Sequence, residues 1–154
     1  MRGVSSRIGI AAMLAVWLPS GAAIGQAPGV DGWTFNPRAL SASVSPARGQ
    51  ALTVACDVDA LRIYMLSALV PGAEAEPEVT ARFEAGAQAT EMPMRWNGTF
   101  FASVERISKR TPLVAAMAAA QTMSVSVTID GADAGTFPLA GAGPALRGLV
   151  AGCG

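Results

Sequence analysis

From Trp33 onward, apolar and polar residues exchange places with a period of two for most of the chain. In "ALSASVS", Leu40, Ala42 and Val44 share one side and serines take the other. "ALTVACD" sets Leu52, Val54 and Cys56 in line, and "LRIYMLS" does the same for Leu61, Ile63 and Met65. "EVTARFE" opposes Val79, Ala81 and Phe83 to Thr80, Arg82 and Glu84, and "TMSVSVTID" opposes Met123, Val125, Val127 and Ile129 to hydroxyl side chains. Side chains alternate across a strand, so such runs predict antiparallel strands with one dry and one wet face. The connectors agree. "ARGQ" at 47–50 reads as a tight turn, "VPGAEAEPE" as a longer acidic loop, and "DGADAG" at 130–135 as a turn into a last short strand, "TFPL". Asn97-Gly98 is expected to form a two-residue type I′ turn, with Met94 and Trp96 before it and Phe100, Ala102 and Val104 continuing the alternation after it.

Two segments follow a helical period instead. Thr111-Pro112 combines an N-cap with proline at the first helical position, and "LVAAMAAAQ" behind it is rich in strong helix formers. In "GAGPALRGLVAGC", Leu146, Leu149, Val150 and Cys153 fall at i, i+3, i+4 and i+7, one apolar stripe. The predicted architecture is mainly β (α+β): a small antiparallel β-sandwich or barrel-like domain over residues 33–154, with one short internal helix and a C-terminal helix.

The first residues follow another logic. Arg2 and Arg7 precede the apolar "IGIAAMLAVWL", Pro19 to Gly21 interrupt it, and small residues follow. This is the anatomy of a cleaved secretory signal over residues 1–25, ahead of a flexible lead-in at 26–32. Cleavage after Gly25 puts Ala23 at −3, whereas cleavage after Ala27 would leave Pro28 at +1. The expected address is the periplasm. No later apolar run approaches the length of a membrane span; the longest is "LVAAMAAA".

The whole chain has 11 basic and 11 acidic residues; losing Arg2 and Arg7 leaves nine against eleven, a net charge of −2. With no basic stripe to neutralise phosphates, nucleic-acid binding is not expected. The two cysteines, Cys56 and Cys153, allow one intramolecular pairing, which export into an oxidising compartment favours. Both lie on core-facing positions of their segments, so a bond stapling the final helix to a strand is sterically reasonable; two separate buried thiols are the alternative.

Chemistry is sparse. The chain contains no histidine, which removes the commonest general base and metal ligand. Gly143 and Gly148 have P-loop spacing, but Leu149 and Val150 stand where lysine and Ser/Thr are required; the dinucleotide fingerprint fails at Leu146. Lys109, the lone lysine, lies between Arg106 and Arg110 in what reads as a solvated basic turn rather than half of a Ser-Lys dyad. Asp57 and Asp59 are a possible acid/base pair, but after a strand they fit a turn better. Glu74, Glu76 and Glu78 lack an EF-hand pattern and read as a solvated acidic loop. Asn97-Gly98-Thr99 matches a glycosylation sequon that a tight hairpin explains as coincidence. The aromatics Trp33, Phe83, Trp96, Phe100, Phe101 and Phe137 suit a core more simply than a ligand pocket. No catalytic residue, cofactor or metal is expected.

The order of "LSASVS", "LTVACDVDALRIYM", "VTARFEAGAQATEMPMRW", "PLVAAMAAAQTMSVSV" and "GTFPLAGAGPALRGLVAGC" resembles the VasI-like family of small periplasmic proteins associated with type VI secretion clusters. In that family a strand cysteine and a C-terminal cysteine frame the domain. Its ending pattern falls here on Phe137, Leu139, Gly141, Ala145, Leu146 and Cys153. The exported, β-rich invasion-associated locus B family shares part of this ending. The resemblance implies a non-enzymatic accessory or interaction protein with a protein partner in the cell envelope. A virulence-associated protein of the second family, or a β-fold carrier of small apolar ligands, is the alternative.

Overall fold

A computed structural model describes residues 32–69, 78–119, 124–129 and 131–154. The expected leader at 1–25, the lead-in as far as residue 31 and the acidic loop with Glu74 and Glu76 lie outside the described residues, as do Met123 and the side chains of Val125 and Val127.

Nine strands form one continuous antiparallel sheet: β1 Thr34–Asn36, β2 Ser41–Ala47, β3 Gln50–Asp57, β4 Ala60–Leu66, β5 Glu78–Ala85, β6 Gln88–Trp96, β7 Phe101–Ser103, β8 Ser124–Ile129 and β9 Ala132–Pro138. Their spatial order is β1-β2-β3-β4-β7-β6-β5-β8-β9. The sheet curls into a half-barrel, the barrel-like form of the expected architecture. In β2, β3, β4 and β5 strand alternation is obeyed as expected. Ala42 and Val44, Leu52 and Val54, Leu61, Ile63 and Met65, and Val79, Ala81 and Phe83 all face the dry interior.

Two helices close the concave side: α1 Pro112–Ala119 packs on β5 and β6, and α2 Ala142–Gly152 packs on β1, β2 and β3. At the start of α1 the Val114 N–H donates to Thr111 Oγ1 (3.3 Å), the cap expected of Thr-Pro. Leu146 and Leu149 of α2 are fully buried, worth about 1.5–3 kcal/mol each. The glycines that mimic a phosphate loop have a packing role. A Cβ on Gly143 would lie 2.6 Å from the Ala118 carbonyl oxygen, and one on Gly148 would lie 2.9 Å from the Phe35 ring. Only a residue without a Cβ lets α2 sit this close to α1 and β1.

Sheet edges expose unpaired backbone groups and need cover. Here two carbonyls of the edge strand β9 are capped by side chains. Its Ala134 carbonyl accepts from Ser67 Oγ (2.7 Å) and its Pro138 carbonyl from the Trp33 indole N–H (2.7 Å). The Trp33 backbone N–H donates to Ala140 O (2.8 Å), drawing the start of β1 toward the end of β9.

Three local expectations need correction. The hairpin turn is centred on Gly98 and Thr99, not on Asn97 and Gly98: Gly98 alone has positive φ (94°), and Asn97 Oδ1 accepts from the Thr99 and Phe100 N–H groups, both at 2.9 Å. Trp96 pairs with Phe101 across the two-residue turn, and opposite residues share a face. Phe101 and Ser103 therefore point inward and Ala102 outward, the reverse of the expected phase. Second, β9 starts at Ala132, paired directly with Ile129, so the last strand takes in residues read as turn. Third, Leu40 belongs to the turn before β2, at φ 44°, rather than to the strand.

Candidate functional site

Cys56 and Cys153 form a disulfide, with Cα atoms 5.5 Å apart and 97 residues of separation in sequence. Cys56 lies near the end of β3; Cys153 terminates α2 as its C-cap and is buried. The bond fastens the end of the chain to the β3–β4 hairpin. Lys109 adds a second tie, its Nζ donating to the Cys153 carbonyl (2.5 Å) and reaching the Gly154 oxygen at 3.5 Å. Lys109 is thus half-buried and tethered, not part of a freely solvated turn; Arg106 and Arg110 beside it are exposed. Local sequence does not contain the C-terminal carbonyls that hold it.

The two aspartates diverge. Asp57 closes β3, where its carboxylate accepts from Arg62 (3.0 Å) and Arg106 (3.3 Å), with 29% of its side chain exposed. Asp59 is exposed at the tip of the same hairpin, against Gly154. Between them Val58 has φ 65° and is 72% exposed. A β-branched residue in that region is strained by about 1–2 kcal/mol. Glu78 pairs with Arg95 at 3.1 Å. On the outer face of β5 and β6, Arg82 donates to Glu84 (2.7 Å) and Glu91 (3.1 Å), which raises its pKa; it stays cationic at any pH at which the fold exists. Among the described residues no cluster of three or more cysteine or carboxylate groups is placed to hold a metal.

The aromatic residues divide between core and surface. Phe83, Phe101 and Phe137 are fully buried and fill the half-barrel together with Met65, Met94 and Met117. Trp96 stacks obliquely on Phe101 with ring centroids 4.8 Å apart, and Tyr64 meets Phe100 edge-on at 5.6 Å on the outer face.

Two concave places lie at the surface formed by the described residues. One is a depression of about 130 Å³ over Ala102, rimmed by Arg62, Arg95 and Asn97. Ala102 lies opposite Tyr64 on one side and Arg95 on the other, so a single methyl group sits in a row of long side chains. Its guanidinium groups are already paired, with Asp57 and Glu78, so its charge is largely balanced.

The second is a groove of about 240 Å³ between the helices. Val114, Ala115 and Ala118 line it from α1; Leu146, Val150 and Ala151 line it from α2. The helices run antiparallel and are pinned at both ends. Gly143 lies against Ala118 at one end, and Lys109 holds Cys153 at the other. Between the pins three of the facing side chains, Ala115, Ala118 and Ala151, are too short to fill the space. Lys109 and Arg147 are the groove's only charged lining groups among the described residues. This site was not foreseen from sequence. The available signal was α1 itself: "PLVAAMAA" has no polar face, although a helix on a surface normally carries one. Ala115 and Ala119 are exposed in consequence.

Comparison of the chain with protein-family models, with curated proteins and with solved structures gave no match. Among the described residues no helix is long and apolar enough to cross a membrane.

Proposed function

We propose that this protein is an exported, non-enzymatic binding domain of the periplasm that serves a protein partner in the cell envelope. The observation that carries this reading is the Cys56–Cys153 disulfide joining residues 97 positions apart, because such bonds persist in oxidising compartments and are rare in reducing ones. The leader-like pattern of residues 1–25 supports the same address. A binding role is supported by how the polar groups are used. Asp57 is held by Arg62 and Arg106, Lys109 by the C-terminal carbonyls, and the chain has no histidine. An association with type VI secretion follows only from the resemblance of the Phe137-to-Cys153 ending to VasI-like proteins.

Fractionation of cells making the full chain, followed by intact-mass analysis, tests the assignment. The expected product is periplasmic, shortened by 25 residues and lighter by two hydrogens than its reduced form. A full-length cytosolic protein with two alkylatable thiols would overturn it.

The apolar-carrier reading changes place rather than disappearing. Buried phenylalanines and methionines occupy the half-barrel interior, so the groove between α1 and α2 is the better receptacle.

A further inference from the structure

The geometry points to the α1–α2 groove as a binding site for a compact amphiphilic carboxylate, its apolar body between the helices and its carboxylate on Arg147. The inference extends the binding-domain reading but needs neither the periplasmic address nor a protein partner.

Shape limits the occupant. The groove's volume, about 240 Å³, falls just below the roughly 300 Å³ at which pockets begin to take bulky ligands. From Val114 to Ala118 the α1 wall rises about 6 Å, at about 1.5 Å per residue. The helices close on each other at the Gly143–Ala118 contact, and the Lys109–Cys153 hydrogen bond spans them at the other end. The space between these two contacts suits a short chain better than a peptide running the length of the helices.

Charge limits it further. Among the described residues no carboxylate lines the groove, and both ionisable groups on its rim are cationic. Lys109 is committed to the end of the chain, which leaves Arg147. Arg62, Arg82, Arg95 and Arg106 each hold a carboxylate within 4 Å, whereas among the described residues Arg147 holds none. A guanidinium presents paired N–H donors that match the two oxygens of a carboxylate. The exposed Arg147 thus supplies the polar end of a site that is otherwise alkyl.

Octanoate, below its micellar concentration, is a suitable probe, with octanol and octylamine as neutral and cationic counterparts of the same chain length. Titration of the isotopically labelled protein, followed by amide NMR, should give saturable shifts at Ala115, Ala118, Leu146 and Val150. Octanoate should bind roughly two- to fivefold tighter than octanol, the scale of one exposed charge pair, and octylamine more weakly than either. Ala115→Phe places a ring in the groove from an exposed position and should weaken octanoate at least tenfold with an unchanged far-ultraviolet CD spectrum. Arg147→Gln should abolish the preference for octanoate over octanol while retaining octanol binding. Equal affinity for all three probes, unchanged binding in Ala115→Phe, or shifts confined to other surfaces would overturn the proposal. So would shifts at these residues that follow protein concentration instead of ligand, since they would identify a second copy of the chain as the occupant.

Discussion

Reducing the single disulfide is the perturbation with the largest expected effect. The Cys56–Cys153 bond closes a loop 97 residues long, most of the folded domain. In the chain-entropy treatment a loop of that length restricts the unfolded chain enough to add about 4.7 kcal/mol to stability. A domain of this size has a total of about 5–15 kcal/mol, so the bond supplies about 30% or more of it. The folded state should survive reduction locally. Leu146 and Leu149 remain buried, and Lys109 still holds the Cys153 carbonyl, so α2 keeps its seat while the unfolded ensemble gains freedom. Urea unfolding of oxidised and reduced protein measures the difference directly. The midpoint should fall by about 2 M on reduction, and the slope should increase because the unfolded chain exposes more surface. Amide exchange in α2 should stay slow relative to an unfolded chain. A stability difference below about 1 kcal/mol would refute the loop-closure reasoning. Immediate loss of protection throughout α2 would refute the claim that packing holds the helix independently.

Three smaller perturbations test other contacts. Ser67→Ala leaves the Ala134 carbonyl and the Leu69 N–H without their buried partner and should destabilise by about 1–3 kcal/mol in the same urea assay; an unchanged midpoint would mean that Ser67 is not what covers β9. Val58→Gly relieves the positive-φ strain at an exposed site and, net of the added freedom of the unfolded chain, should stabilise by roughly 1 kcal/mol; a lowered melting temperature would contradict the strained turn. Gly143→Ala sets a methyl group against the Ala118 carbonyl and should destabilise by about 1–3 kcal/mol, whereas the same change on an exposed helix face would normally stabilise.

The dry faces of β2, β3, β4 and β5 are legible because side-chain direction alternates within each strand, independently of its neighbours. The Thr111-Pro112 helix start is legible for a similar reason: the cap and the chain it caps are adjacent. Phase errors arose where a turn intervened. Asn97 satisfies two backbone donors with its side chain, which moved the turn by one residue; a two-residue turn in either place sets odd-numbered residues of β7 opposite even-numbered ones of β6, and this puts Phe101 rather than Ala102 on the face of Trp96. The groove was harder still. Val150 fits the apolar stripe of α2 and Lys109 fits a basic turn, and neither position alone reveals a shared cavity.

What sequence alone determined was therefore the local order: strands with one buried face, two helices, and two cysteines whose positions both face a core. Only the tertiary structure decided that the strands join in one curled sheet, that Trp33 and Ser67 cap two carbonyls of its β9 edge, and that two helices pinned at both ends leave a groove between them. Period and capping act over a few residues and are written in neighbouring positions. Sheet curvature, edge cover and the gap between helices depend on groups up to about a hundred positions apart, whose meeting no local pattern encodes.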